Sequence, residues 1–145
     1  MLNKSRIDIY DYLYNLFFET VTENVYSMNE PQELTPDDTN DGFIVIRIGD
    51  IIDDSEFSGE AYGHVRCYVE AFVPPISRGR LDVEKYKAFE DSINDVIAVA
   101  TMETGGEYHV REDSVISMDG DVASTANNTY FSFIKSFIVD ITQIE

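Results

Sequence analysis

The chain has 145 residues, of which 43% are hydrophobic and 12% aromatic. This size and composition are typical of one folded domain spanning residues 1–145. A chain of this length buries enough surface to fold without disulfides or metals, and its one cysteine excludes a disulfide framework. Its apolar runs are too short to cross a membrane. Asp8 and Asp11 interrupt any N-terminal signal segment. These observations predict a soluble, cytoplasmic, single-domain protein.

The net charge is the strongest compositional feature. The chain carries 28 acidic and 10 basic residues, which gives a formal charge of −18. Nucleic-acid binding replaces phosphate counterions with Lys and Arg, so this balance argues against specific nucleic-acid binding. It argues against binding to anionic membrane surfaces for the same reason. Two interpretations remain: a solubilising surface, or an acidic lining that faces a molecule to which it must not adhere.

The charge is unevenly distributed along the chain. Residues 27–60 contain ten acids and a single base, Arg47, whereas residues 61–100 contain five bases and six acids. Because identical subunits of charge −18 repel one another, assembly would need unlike charges to meet. We predict a head-to-tail contact between a basic cluster and an acidic stretch of a neighbouring copy; its members are Arg78, Arg80, Lys85 and Lys87 on one side and Asp50, Asp53, Asp54, Glu56 and Glu60 on the other. Alternatively, these bases are solvated or paired within their own chain.

The first predicted element is a helix over residues 5–26, in which apolar residues recur every three or four positions. One stripe includes Ile9, Leu13 and Phe17. A second, aromatic stripe beside it comprises Tyr10, Tyr14 and Phe18. A helix that packs on one core needs only one stripe. The aromatic stripe is therefore expected either to pack under the following segment or to meet a neighbouring subunit. That segment, residues 27–42, is rich in Pro, Asp and Asn and is predicted to be a long acidic loop.

The rest of the chain alternates strand-like and helical patterns. Strands are predicted over residues 43–52, 64–73, 107–118 and 129–144, and a second helix over residues 82–100 with Asp82 as its N-cap. The order α-β-β-α-β-β predicts an α+β domain: a mostly antiparallel sheet with two helices packed on it. The predicted core comprises Val65, Cys67, Val69, Phe89, Ile93, Val96, Ile97 and some of Phe131, Phe133 and Phe137.

No constellation in the sequence predicts catalysis, a cofactor or a metal. The only histidines are His64 and His109, and Cys67 falls on the apolar side of an alternating strand, which favours a buried, inert thiol. Asp119 and Asp121 begin like a calcium loop, but no glutamate closes it. No glycine-rich phosphate-binding motif is present. We expect a protein without catalytic, cofactor-binding or metal-binding residues.

The arrangement of these elements resembles the tail-terminator and head–tail connector (neck) proteins of long-tailed bacteriophages and prophages. The resemblance rests on the helix before a proline-bearing loop, the strand from Asp41-Gly42-Phe43, the strand from Gly63 to Phe72 that feeds the second helix, and the closing strand from Tyr130. It implies a structural virion protein that forms a hexameric ring on the tail tube, contacts other tail or neck proteins and is assembled in the bacterial cytoplasm. The long acidic stretch is not explained by the resemblance.

Two other classes of function remain open. The first is a small-molecule-binding or enzymatic α+β domain, which would need a cleft lined by carboxylates with perturbed pKa values. The second is an acidic interaction protein, including a DNA mimic whose carboxylates are spaced like duplex phosphates. Only the ring hypothesis requires about six copies, as that resemblance implies, so the mass in solution distinguishes it from the others.

Overall fold

The structure is a computed structural model that describes residues 2–27, 41–55, 61–103, 105–113, 121–125 and 128–143. Most of the predicted acidic loop, together with Glu56, Glu60 and Asp119, lies outside these residues. The described residues form two α-helices and seven strands. In chain order these are α1 (Arg6–Phe17), β1 (Val25–Ser27), β2 (Phe43–Ile48), β3 (Ile52–Asp53), β4 (Tyr62–Val73), α2 (Val83–Met102), β5 (Tyr108–Glu112), β6 (Asp121–Thr125) and β7 (Asn128–Thr142).

The strands form one mostly antiparallel sheet, in the order β1-β2-β4-β7-β5. β3 extends the β2 side by pairing with the start of β4, and β6 extends the β5 side by pairing with the start of β7. Among the described pairings, only that of β1 with β2 is parallel. The mostly antiparallel α+β class predicted from the sequence is confirmed.

The predicted helix over residues 5–26 is too long. Ser5 donates its backbone N–H to Asp8 Oδ2 at 2.8 Å and starts α1, but Phe18 is extended and Glu19 has a positive φ of 66°. The chain turns there, and Val25 enters β1, opposite Ile44 of β2. Apolar spacing continues past the turn, but the backbone of this segment pairs with the sheet instead of with the preceding helical turn. β-branched residues such as Val25 suit that environment.

The predicted strand over residues 43–52 is divided. β2 ends at Ile48, Gly49 donates its N–H to Arg66 O at 2.9 Å, and pairing resumes at β3. β4 confirms the alternation predicted for residues 64–73. Its odd-numbered side chains Val65, Cys67 and Val69 are buried.

The predicted second helix is confirmed, with bounds close to the predicted ones. The side chain of Asp82 accepts a hydrogen bond from Lys85 N at 3.2 Å, which is the predicted N-cap. α2 continues for 20 residues to Met102, just before Gly105 and Gly106. Neither described helix is long and apolar enough to span a membrane.

The strict order α-β-β-α-β-β is not confirmed. β1, β3 and β6 are additional strands, and β6 forms where the sequence predicts a polar turn. A short polar segment carries little strand signal of its own, and β6 forms because β7 offers it a ladder of backbone partners. β7 pairs with β4 on one side and with β5 and β6 on the other, as expected for a strand that is apolar on both faces.

Both helices pack on one face of the sheet. This helix-side core includes Leu13 of α1, Ile93 of α2, Val65 of β4 and Phe137 of β7. Phe89, Val96, Ile97 and Phe133 are also buried, as predicted, whereas Phe131 is half-buried. On the opposite face, which we call the outer face, a smaller aromatic cluster contains Phe43, Phe72 and Tyr130.

Candidate functional site: the two ends of helix α2

The nucleophile and histidine candidates of the sequence lie apart from one another. The Cys67 side chain is buried in the helix-side core, and burial raises the pKa of its thiol to about 12. His64 points to the outer face, where its Nδ1 lies 2.7 Å from Asp54 Oδ2. His109 Nε2 lies 3.1 Å from Thr101 O. In the part of the chain that the structure describes, no group of three or more potential metal ligands converges.

The outer face carries ion pairs that the sequence does not reveal. Arg66 Nε lies 2.8 Å from Asp113 Oδ2, and the guanidinium of Arg111 contacts both carboxylate oxygens of Asp140 at 2.9 and 3.1 Å. Arg47 of β2 pairs with a carboxylate oxygen of Glu70. The partners of Arg66 and Arg111 are distant in sequence, so only strand register could have revealed them. These pairs neutralise three of the basic residues within the chain.

The basic cluster is divided between a turn and the start of α2. Residues 76–81 form a tight reversal, which we call the basic turn. Ile76 N donates to Arg80 O at 2.8 Å, and Arg78 has a positive φ of 65°. Arg78 and Arg80 are exposed, and neither forms an ion pair within the described residues. The turn also exposes an apolar side chain, since Ile76 is 44% accessible.

The two lysines differ from each other. Lys85 is half-buried and its backbone N–H takes part in the cap of α2, whereas Lys87 is exposed. The basic surface that a partner could reach therefore consists mainly of Arg78, Arg80 and Lys87.

Part of the predicted acidic stretch is engaged within its own chain. Asp53 accepts hydrogen bonds from the backbone N–H groups of Leu2 and Ser55, at 3.2 and 2.9 Å. Hydrogen bonds from Ser55 hold the pKa of the Asp53 carboxyl below its usual value. Asp54 contacts His64. Asp50 is exposed and is the residue of this stretch best placed to meet a partner.

The aromatic stripe of α1 is half-buried along its length. Tyr10 and Tyr14 have ring centroids 5.9 Å apart, and Tyr14 stacks on Phe18 at 5.0 Å. Tyr10 packs against the helix-side core, and this burial raises the pKa of its hydroxyl. Most of the acidic segment predicted to cover the stripe lies outside the described residues. Contact with that segment and contact with a neighbouring subunit therefore both stay predictions.

A groove of about 240 Å³ lies between α1 and the C-terminal part of α2. Its walls are mainly apolar and include Leu16 of α1 with Val96 and Val99 of α2, and Asp95 and Glu103 lie at its rim. Val99 is 59% accessible and Met102, three residues further along α2, is 80% accessible. The sequence does not reveal this groove, because the groove forms only where two separate elements meet.

A second, more polar cleft of about 400 Å³ lies on the other side of α2. It is lined by Asn94 and Asp95 of α2, by Glu112 and Asp113 at the end of β5, and by Lys135 of β7. One of the acidic groups that line this cleft, the Asp113 carboxylate, already forms an ion pair with Arg66 of β4.

The chain matches no model of a known protein family, and a search of curated protein sequences finds no match to it.

Proposed function

We propose that this protein is a non-enzymatic structural protein whose copies join head to tail into a closed ring, as a tail terminator or neck component of a phage or prophage does. Its partners are further copies of the same chain and the neighbouring tail or neck proteins. This is the role that the resemblance noted in the sequence implies.

The observation that carries the proposal is the position of the basic turn. It follows the C-terminal end of β4, whereas Asp53 pairs with Gly63 at the N-terminal end. A strand of 12 residues is about 36 Å long, so Arg78 and Arg80 are far from the acidic end of their own molecule. In a chain of charge −18, these two exposed arginines would have a favourable electrostatic interaction with carboxylates of another copy. Contact between unlike ends is heterologous and closes into a ring when the rotation allows.

The remaining negative charge suits the same role. A ring that surrounds passing DNA benefits from a wall that repels phosphates, because attraction would hold the DNA in place. The arginines of the outer face are already neutralised by Asp113, Asp140 and Glu70. They therefore leave little positive charge to bind a nucleic acid.

The test is the mass of the protein in solution, measured by size-exclusion chromatography with light scattering over a range of protein and salt concentrations. We expect the parent chain to form a closed oligomer, with about six copies as the resemblance implies. Arg78→Glu combined with Arg80→Glu should abolish assembly. Arg78→Lys combined with Arg80→Lys, which retains the charge, is the matched control and should assemble.

A parent chain that is monomeric under all these conditions would contradict the proposed function. So would assembly of the doubly reversed variant like the parent at both low and high salt. Restoration by Asp50→Lys would identify the acidic stretch as the acceptor. Asp50 is preferred over Asp53 and Asp54 for this exchange because their carboxylates hold the local fold.

A further inference from the structure

The basic residues in and near α2 all lie on its N-terminal side. The basic turn precedes its first residue and Lys87 lies in its first half, whereas no Lys or Arg occurs from residue 88 to residue 103. Acids occur in both halves of α2, but on the C-terminal side Asp95 and the C-cap residue Glu103 are accompanied by no base, and the last turn contains none. A helix C-terminus bears partial negative charge on its unpaired carbonyls. A cation arriving there would meet both the helix dipole and the carboxylates.

The groove lies at the C-terminal end of α2. Its lining is mainly apolar and includes two exposed acidic residues, Asp95 and Glu103. Val99 and Met102 are large apolar side chains with more than half of their surface exposed, at 59% and 80%. An apolar surface with an acidic rim fits a partner that offers an aliphatic side chain between basic ones.

The basic turn has that composition. Ile76 is 44% accessible, and Arg78 and Arg80 follow it within four residues. The backbone hydrogen bond between Ile76 N and Arg80 O, at 2.8 Å, holds the turn in shape before any partner arrives. A preformed turn loses little conformational freedom on docking.

We infer that the basic turn of one copy docks in the α1/α2 groove of the next copy, with Ile76 against Val99 and the two arginines beside Asp95 and Glu103. This inference rests on the proposed function and names its contact. In this contact the groove, and not the acidic stretch around Asp50, receives the basic turn of the neighbouring copy. The contact cannot form within one chain, because Val83 and Val99 are separated by about 24 Å along α2.

Disulfide trapping between two singly substituted chains tests the contact directly. Chains carrying Ile76→Cys are mixed under mild oxidation with chains carrying Val99→Cys. Val83→Cys is the matched control, because Val83 is an equally apolar, exposed residue at the other end of α2. Asp50→Cys represents the rival acceptor. The native Cys67 is buried and does not compete for the engineered thiols.

We expect the mixed disulfide to form at least tenfold faster with Val99→Cys than with Val83→Cys or Asp50→Cys. An equal rate for all three, or a preference for Asp50→Cys, would overturn the inference. Charge exchange gives an independent measurement. Asp95→Arg with Glu103→Arg should weaken assembly at least tenfold, and combining these changes with Arg78→Glu and Arg80→Glu should restore it.

The outcomes separate this inference from the proposed function. If the parent chain never assembles, the ring and its contact both fail. If the parent assembles and the groove-rim variants assemble equally well, the ring stands and the groove is not the acceptor. Asp95 and Glu103 are exposed, so their replacement is expected to leave the fold intact, and circular dichroism checks this.

Discussion

Ile93 lies in the middle of α2 with its side chain fully buried against the sheet. Truncating Ile93 or Phe89 to alanine should lower the free energy of unfolding by about 2–5 kcal/mol, because apolar contacts are lost and a cavity remains. Val99→Ala on the same helix is the control, and it should change stability by less than about 0.5 kcal/mol in dilute solution. Chemical denaturation measures all three variants. A loss below about 0.5 kcal/mol at Ile93 would show that α2 does not face the core.

Cys67 makes stability depend on pH in the alkaline range. Burial raises the pKa of its thiol from 9.0 to about 12, so between these values the unfolded chain ionises while the folded chain stays protonated. The contribution of Cys67 is fully present below pH 9 and is lost as the pH rises towards 12. The total loss is about 4 kcal/mol, three pKa units at ~1.4 kcal/mol each.

The measurement is urea unfolding of the parent and of Cys67→Ala between pH 8 and 11. Tyrosines also titrate in this range, so only the difference between the two proteins reports on Cys67. The parent should lose stability faster with rising pH. Parallel curves would mean that the thiol is accessible to water in the folded protein.

At the scale of elements, Gly42 shapes the entry into β2. Its φ is +86°, and a Cβ at this position would lie 2.5 Å from Phe72 O. Gly105 has a similar φ of +89° with no heavy atom within 4 Å of the corresponding position. Gly105→Ala should therefore cost only the backbone strain, about 1–2 kcal/mol. Gly42→Ala should cost at least about 1 kcal/mol more, because the strand backbone must also shift. Equal losses in thermal or urea unfolding would contradict the close approach.

The elements differ in how far the sequence predicts them. α2 is predictable because Asp82, a one-sided apolar stripe and the following glycines agree with one another. The end of α1 is not, because the residues after Phe17 keep helical spacing while their backbone pairs with a strand about twenty residues away. β3 and β6 depend in the same way on partners that are remote in sequence.

The candidate site also contains some features that the sequence predicts and others that depend on the fold. The sequence predicts the bases of the basic turn because Arg78 and Arg80 are two residues apart, just after Pro74-Pro75, and it also shows that no base occurs from residue 88 to residue 103. The pairing of Arg66 with Asp113 and the groove between Leu16 and Val99 could not, because each depends on how distant elements meet.

At the scale of the whole molecule, paired and unpaired bases lie in different places. Arg47, Arg66 and Arg111 pair with carboxylates on the outer face, whereas Arg78 and Arg80 of the basic turn are exposed and form no ion pair within the described residues. A molecule with one donor end and one acceptor end has no self-complementary face, so it favours rings or filaments over simple dimers. The rotation between successive copies decides whether the chain of contacts closes.

The central position of β7 has a consequence for biosynthesis. β7 follows the other described strands in the sequence, yet it joins β4 to β5 and β6. During translation, the edge of β4 that will pair with β7 therefore has unpaired backbone groups, and another nascent chain could pair with them. The helices, in turn, lack the finished surface on which they pack. Until β7 has been synthesised, the two helices cannot pack on the complete sheet, so we expect the groove between them, and docking into it, to form only after β7 has joined β4.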